Sequence, residues 1–325
     1  MTVSAELSRA FRLMSLICAF LVIGIHMPSH RSIVDAAFAD GFCRVAVPFF
    51  FFASGFFLVG NIGNDGWWRA AIGKRIRTLL VPFFIWTGIS FVLPCLYGGL
   101  PRLQTVNELI AFWGLDPTVY PGVVPYWYIR TLFLLCILSW FFVKLCVVAP
   151  RLWIGLLVVA WLAVCPYHDV YPFGCPPMRR ILPLDAVMFF NVGICVRMCK
   201  LEGLFSTRNA KWALPLGIML MMLKITLPLM GCKIAWVFGT LSVPAIILGS
   251  IGALSVVKAD FGYANYAFPV YMLHSLVMLF ISRLLRRFSE IYFLLYLMTF
   301  ISCVVLADIT KRTMPKCYGI LFGGR

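Results

Sequence analysis

The 325-residue chain is 62% hydrophobic and 12% charged, more apolar surface than one soluble core could hide, so a soluble globular domain is excluded in favour of a polytopic membrane protein. The formal net charge of +16 does not point to nucleic acid, because the basic residues are scattered in short connections and form no stripe with interleaved aromatics. Twelve cysteines show no Cys-x-x-Cys pairing and fall mostly in apolar stretches, where a thiol packs as a small apolar group.

Hydropathy predicts an all-α membrane bundle of about ten transmembrane helices, near 13–29, 43–60, 77–97, 125–147, 153–167, 184–199, 212–231, 234–256, 265–282 and 290–308. The fifth segment is short and the seventh is interrupted by Lys224. No internal repeat, low-complexity tract or linker divides the chain, which reads as one membrane domain over 1–325. With the N-terminus inside, about 17 Lys and Arg fall on the inner side and about 11 on the outer, which places both termini in the cytoplasm. Arg9 and Arg12 precede the first segment as in a signal peptide, but no Ala-x-Ala site follows, so the segment is read as retained. The longest hydrophilic connections, 98–124 and 168–183, are rich in Pro and Gly and fall outside, where they can frame an acceptor site. Cys165 and Cys175 are the one external cysteine pair that suggests a disulfide.

Along the chain, the first candidate is His26, fourteen residues after Arg12 and therefore roughly 21 Å away on nearly the same helical face. An ionisable group there is costly, and two readings stand: a general base for an acceptor hydroxyl, or an interfacial histidine bonded to a neighbouring helix. His30, beyond Pro28, reads as a loop residue. Arg44 opens the second span, whose small Ala53, Ser54 and Gly55 suit close helix packing; Ser54 lacks a nucleophile-elbow context. Arg69, Lys74, Arg75 and Arg77 then concentrate before the third span, with Lys74 and Arg77 on one face. Such a cluster either holds phosphates or simply anchors topology.

Pro125-Tyr-Trp-Tyr-Ile-Arg130 opens the fourth span, with aromatics suited to an interfacial belt and Arg130 just inside it. Asp185 stands where it can cap the sixth span, Lys224 can snorkel, and His274 sits within an apolar run. Prolines 48, 82, 94, 215, 228, 244 and 269 punctuate the spans. No Walker loop, His-Glu-x-x-His, Rossmann glycine signature or metal-spaced Cys and His set is present, and Gly60, Gly63 and Gly66 form only a lone repeat.

Five blocks in order, ending at Ile25-His26 and continuing with Arg44-Val-Ala-Val-Pro-Phe-Phe-Phe-Phe-Ala-Ser-Gly-Phe-Phe57, Lys74-Arg-Ile-Arg-Thr-Leu-Leu-Val-Pro82, Trp127-Tyr-Ile-Arg130 and Val270-Tyr-Met-Leu-His274, resemble the acyltransferase-3 family of bacterial integral membrane acyltransferases. The resemblance implies a ten-helix enzyme of the bacterial cytoplasmic membrane. It would move an acyl group, commonly acetyl from cytoplasmic acetyl-CoA, to a hydroxyl of a cell-surface or exported glycan or lipid-linked saccharide, without a metal. It implies His26 as the base and Lys74 and Arg77 with adjacent Arg75 as the coenzyme A site; in the mechanism read onto these residues, Arg130 or Arg44 serves as the oxyanion donor. Two positions depart from the pattern. The family's basic residue eleven positions before the histidine is Ser15 here, with Arg12 one turn earlier as its substitute, and Thr131 stands where the family often has Asp. A transporter or flippase that uses His26, Lys224 and His274 as a polar pathway is the competing class, and an enzyme built on His274 is a second alternative.

Overall fold

The computed structural model describes residues 3–27, 33–96, 106–114, 123–164, 182–230, 234–259, 262–284 and 292–324. His30, the Cys165 and Cys175 pair and most of the 98–124 and 168–183 connections lie outside the described residues. Every regular element among them is helical.

Helix α1 (Ala5–Ile25) starts where the Ser4 hydroxyl accepts the Leu7 amide at 3.2 Å, one of the donors a helix N-terminus leaves unsatisfied. Its 21 residues rise roughly 31 Å at about 1.5 Å each, a hydrocarbon thickness. The helix is the axis of the bundle. It packs against α2 (Ile33–Asp40), α3 (Ala46–Leu58), α11 (Ala235–Leu254), α12 (Ala267–Leu284) and α13 (Tyr292–Thr313).

The third predicted span begins earlier than hydropathy places it. Helix α4 (Trp67–Arg75) passes through a π-helical turn (Ile76–Leu80) into α5 (Val81–Leu96), so the basic residues that look like a loop are helical. Trp68 holds that end by donating its indole N–H to the Ile137 carbonyl at 3.1 Å, on the neighbouring α7 (Trp127–Val148). The remaining elements are α6 (Val106–Phe112), α8 (Pro150–Val164), α9 (Leu184–Met198), α10 (Thr207–Thr226) and a short α14 (Pro315–Leu321) that turns back on α5, where Trp86 donates to the Leu321 carbonyl at 2.9 Å.

Seven helical spans among the described residues are long and apolar enough to cross a bilayer: Ala5–Ile25, Ala37–Leu58, Trp67–Leu93, Val124–Val148, Ala235–Leu254, Gly262–Leu284 and Phe293–Thr313. The other three predicted segments coincide with α8 and α9, 15 residues each, and with α10, whose apolar character is diluted by Asn209, Lys211 and Lys224.

Small residues set the closest approach. Gly55 of α3 and Gly193 of α9 face each other's backbones, and a Cβ on either would run into the opposing carbonyl, of Phe190 or Phe52. In a bilayer, where lipid competes equally for apolar side chains, this close backbone contact drives helix pairing. Replacing Gly193 by Leu should therefore push α3 and α9 apart and cost about 1–3 kcal/mol. A lowered thermal midpoint in detergent is the expected readout.

Candidate active site

At its C-terminal end α1 stops at His26, which is half-buried; its backbone N–H bonds the Ile23 carbonyl at 3.1 Å, closing the helix with a tighter turn. The side chain leaves the helix there and meets the ring of His274, with centroids 5.4 Å apart and planes tilted by 35°. His274 comes from the middle of α12 and is fully buried.

His274 has no spare polar atom. Its Nδ1 is 2.6 Å from the Tyr271 carbonyl, which can only accept, so Nδ1 carries the proton. Nε2 then keeps the lone pair and receives the Ser275 hydroxyl at 3.2 Å. The turn that carries it is fixed in turn. Tyr126 donates its hydroxyl to the Met272 carbonyl at 3.0 Å, and Tyr271 donates to the Pro125 carbonyl, so two tyrosines exchange bonds between the start of α7 and α12. Hence the aromatics of the fourth span are no interfacial belt: Tyr126 and Tyr128 are buried, because their hydroxyl and ring have partners inside the bundle. Periodicity could not reveal this, since a belt tyrosine and a bridging tyrosine look alike in sequence.

Arg44 lies in the 3₁₀ turn Phe42–Val45 ahead of α3, close enough for its charge to act on His26. Its guanidinium pairs with Asp40 at 2.9 Å, and both groups are more than half exposed, so the pair orients the side chain more than it stabilises the fold. Lys224 reaches the same turn, donating to the Asp40 carbonyl at 2.6 Å while its stem lies over Gly239. The lysine, expected either to snorkel or to join a polar pathway, is thus a tether to the backbone of this turn.

The other predicted residues stand apart from this pair. Arg12 lies near the start of α1 and contacts the Ser8 hydroxyl at 3.5 Å; on the unbroken α1 it stays roughly 21 Å from His26. Ser15 turns its hydroxyl back to the Phe11 carbonyl at 2.7 Å, which takes up its one proton. Lys74 and Arg77 are exposed and Arg75 half-buried, around the junction of α4 and the π-helical turn, an irregularity that often accompanies functional sites. Arg130 donates to the Gly114 carbonyl at 3.2 Å, which directs it to the connection after α6. Asp185 does not cap α9, whose N-cap is Pro183; it accepts the Trp161 indole N–H at 2.5 Å.

One ionic group was not singled out from sequence. Arg197, in the last turn of α9, is buried, pairs with Glu202 at 2.5 Å and lies over the Phe56 ring at 5.4 Å. The signal that could have found it is Glu202, an opposite charge five residues later in the chain. Among the described residues no three of His, Cys, Asp and Glu cluster as a metal-holding group.

Residues 10–311 match the model of the acyltransferase-3 family, described as an acyltransferase domain. No curated protein and no solved structure matches the chain.

Proposed function

The chain belongs to the acyltransferase-3 family, matched over nearly its whole length, and from that premise we propose that it transfers acetyl from acetyl-CoA to a hydroxyl of a cell-surface or exported glycan, or its lipid-linked precursor, with His26 as general base. The observation that carries the assignment to His26 is its setting. It is a half-buried imidazole at a helix end, within reach of a substrate, whereas the adjoining His274 is sealed and has both ring nitrogens engaged by its own helix.

In this reading His26 takes the proton of the acceptor hydroxyl as that oxygen attacks the thioester carbonyl. The tetrahedral oxyanion is met by Arg44, whose neighbourhood to His26 favours it over Arg130. Collapse breaks the carbon–sulfur bond, and the departing thiolate takes the proton back from the imidazolium, leaving an ester and free coenzyme A. The chemistry needs no metal. Lys74, Arg75 and Arg77 hold the phosphates of acetyl-CoA from the cytoplasm, with Arg12 further along the donor's path.

The same reading has about ten spans, with α8, α9 and α10 completing the seven, both termini in the cytoplasm of a bacterium, and a multi-pass protein in its cytoplasmic membrane. The lysine and arginine asymmetry supports that orientation. The tether between Lys224 and Asp40 supports the placing of those two segment ends on one common side.

The test is transfer by pure protein. Reconstituted in nanodiscs with radiolabelled acetyl-CoA and de-O-acetylated surface polysaccharide of the host bacterium, the protein should release coenzyme A thiol in step with labelled glycan ester. A preparation that moves the glycan precursor across a bilayer and leaves the thioester intact would establish the transporter instead.

A further inference from the structure

The buried histidine has no part in the chemistry above, yet it forms the wall of the site. Resting on the assignment of His26 as base, we infer that His274 is a positioning residue: its ring, locked in place by Tyr271, is the surface that holds the His26 imidazole in the orientation that receives the acceptor's proton.

Three observations carry this. First, His26 is the C-cap of α1, and among the described residues the His274 ring, at 5.4 Å, is an aromatic surface that it meets. Second, that surface is fixed in tautomer and rotation by the Nδ1–H bond to the Tyr271 carbonyl and by the Ser275 hydroxyl on Nε2. Third, the backbone beneath it is clamped to α7 by the exchanged bonds of Tyr126 and Tyr271. The wall is therefore held in place from its own helix and from α7 at the point where it meets the base. A catalytic group misplaced by about 1 Å can lose roughly 10²-fold in rate, so such a wall has a kinetic value that its contribution to stability does not measure.

The experiment uses the whole protein in nanodiscs with acetyl-CoA and the de-O-acetylated surface polysaccharide. His274→Asn keeps an N–H donor for the Tyr271 carbonyl while withdrawing the far edge of the ring from His26. The positioning role predicts a kcat lower by about 10²-fold with KM for acetyl-CoA unchanged. His274→Phe, which restores a flat ring without the nitrogens, should recover much of that loss. In a His26→Ala background, His274→Asn should cost nothing further, since it acts through the side chain already removed. Wild-type kcat in a folded His274→Asn protein, or losses that multiply in the double variant, would overturn the inference while leaving His26 as the base. Undiminished transfer by His26→Ala alone is a different result: it removes the base and this role together. Should His274→Asn fail to reach the membrane, the nitrogen-15 shifts of the His26 ring in His274→Phe give the same answer, because a restored wall predicts the wild-type balance of His26 tautomers and an altered balance refutes it.

Discussion

His26→Ala should give a folded, membrane-inserted protein whose acetyl transfer falls by about 10²–10⁴-fold, the range that a positioned general base contributes. At about 1.36 kcal/mol per tenfold, this is roughly 3–5 kcal/mol of transition-state stabilisation. The fold has little reason to suffer. The helix-closing bond at this position belongs to the backbone amide, which alanine retains, and the side chain lies outside the α1 ladder, where it meets the His274 ring. The loss should fall on kcat, because the cations assigned to the donor phosphates lie on another helix and at the other face. The sign of the pH dependence follows from the role: a base must be unprotonated, so the wild-type rate is lost as pH falls through the imidazole titration. His26→Gln, which can hydrogen-bond but not take up the proton, should be as impaired as His26→Ala. Measurement of thiol release and glycan ester formation across pH for the three proteins checks this. Full activity in His26→Ala would falsify the base assignment.

How much of this could be read from the amino-acid order depends on whether each feature is local. Every predicted apolar segment coincides with a helix, because burying a backbone in lipid leaves few alternatives and composition alone carries that signal. The start of the third span was misjudged for a physical reason. Hydropathy treats the basic stretch from Arg69 as a connection ahead of the span, but a helix runs wherever its backbone bonds are satisfied, and here α4 begins at Trp67 with Trp68 docked on Ile137. His26 was visible as an ionisable group at membrane depth. Its pairing with His274 was not, since the contact depends on how α1 and α12 cross, which no local pattern encodes. The same holds for Tyr126, read as an interfacial residue until Met272 supplies its hydrogen-bond acceptor, and for Lys224, whose partner is a carbonyl on a distant turn. Ser15 illustrates the converse: its departure from the family's basic residue was plain in sequence, and the structure adds that the hydroxyl is spent on its own helix. Any cation needed there must come from another turn, and Arg12 is the one on that helix assigned to the task.

Replacing both Lys74 and Arg77 by alanine should raise KM for acetyl-CoA by about 10- to 100-fold and leave kcat nearly unchanged. The reasoning is that each charge-assisted contact to phosphate contributes about 1 kcal/mol when the side chain is exposed, as both are, and tenfold in affinity corresponds to about 1.4 kcal/mol. The contacts exist in ground state and transition state alike, so they are uniform binding and appear in KM. Screening provides an independent check: wild-type KM should climb between low and physiological ionic strength, and the variant's should climb less, because there is less charge left to screen. The π-helical turn sharpens the test further. Ile76–Leu80 packs an extra residue into the turn that carries Arg77, which changes the angle between Arg77 and the pair Lys74 and Arg75 relative to a regular helix. If that angle is what spreads the cations over separated phosphates, acetyl-CoA lacking the 3′-phosphate should bind the wild type more weakly while binding the two-residue variant no worse than intact acetyl-CoA does. An ordinary topological anchor would show none of this: KM, its salt dependence and the preference for the 3′-phosphate would all survive the substitutions, and the phosphate-binding role would have to move elsewhere.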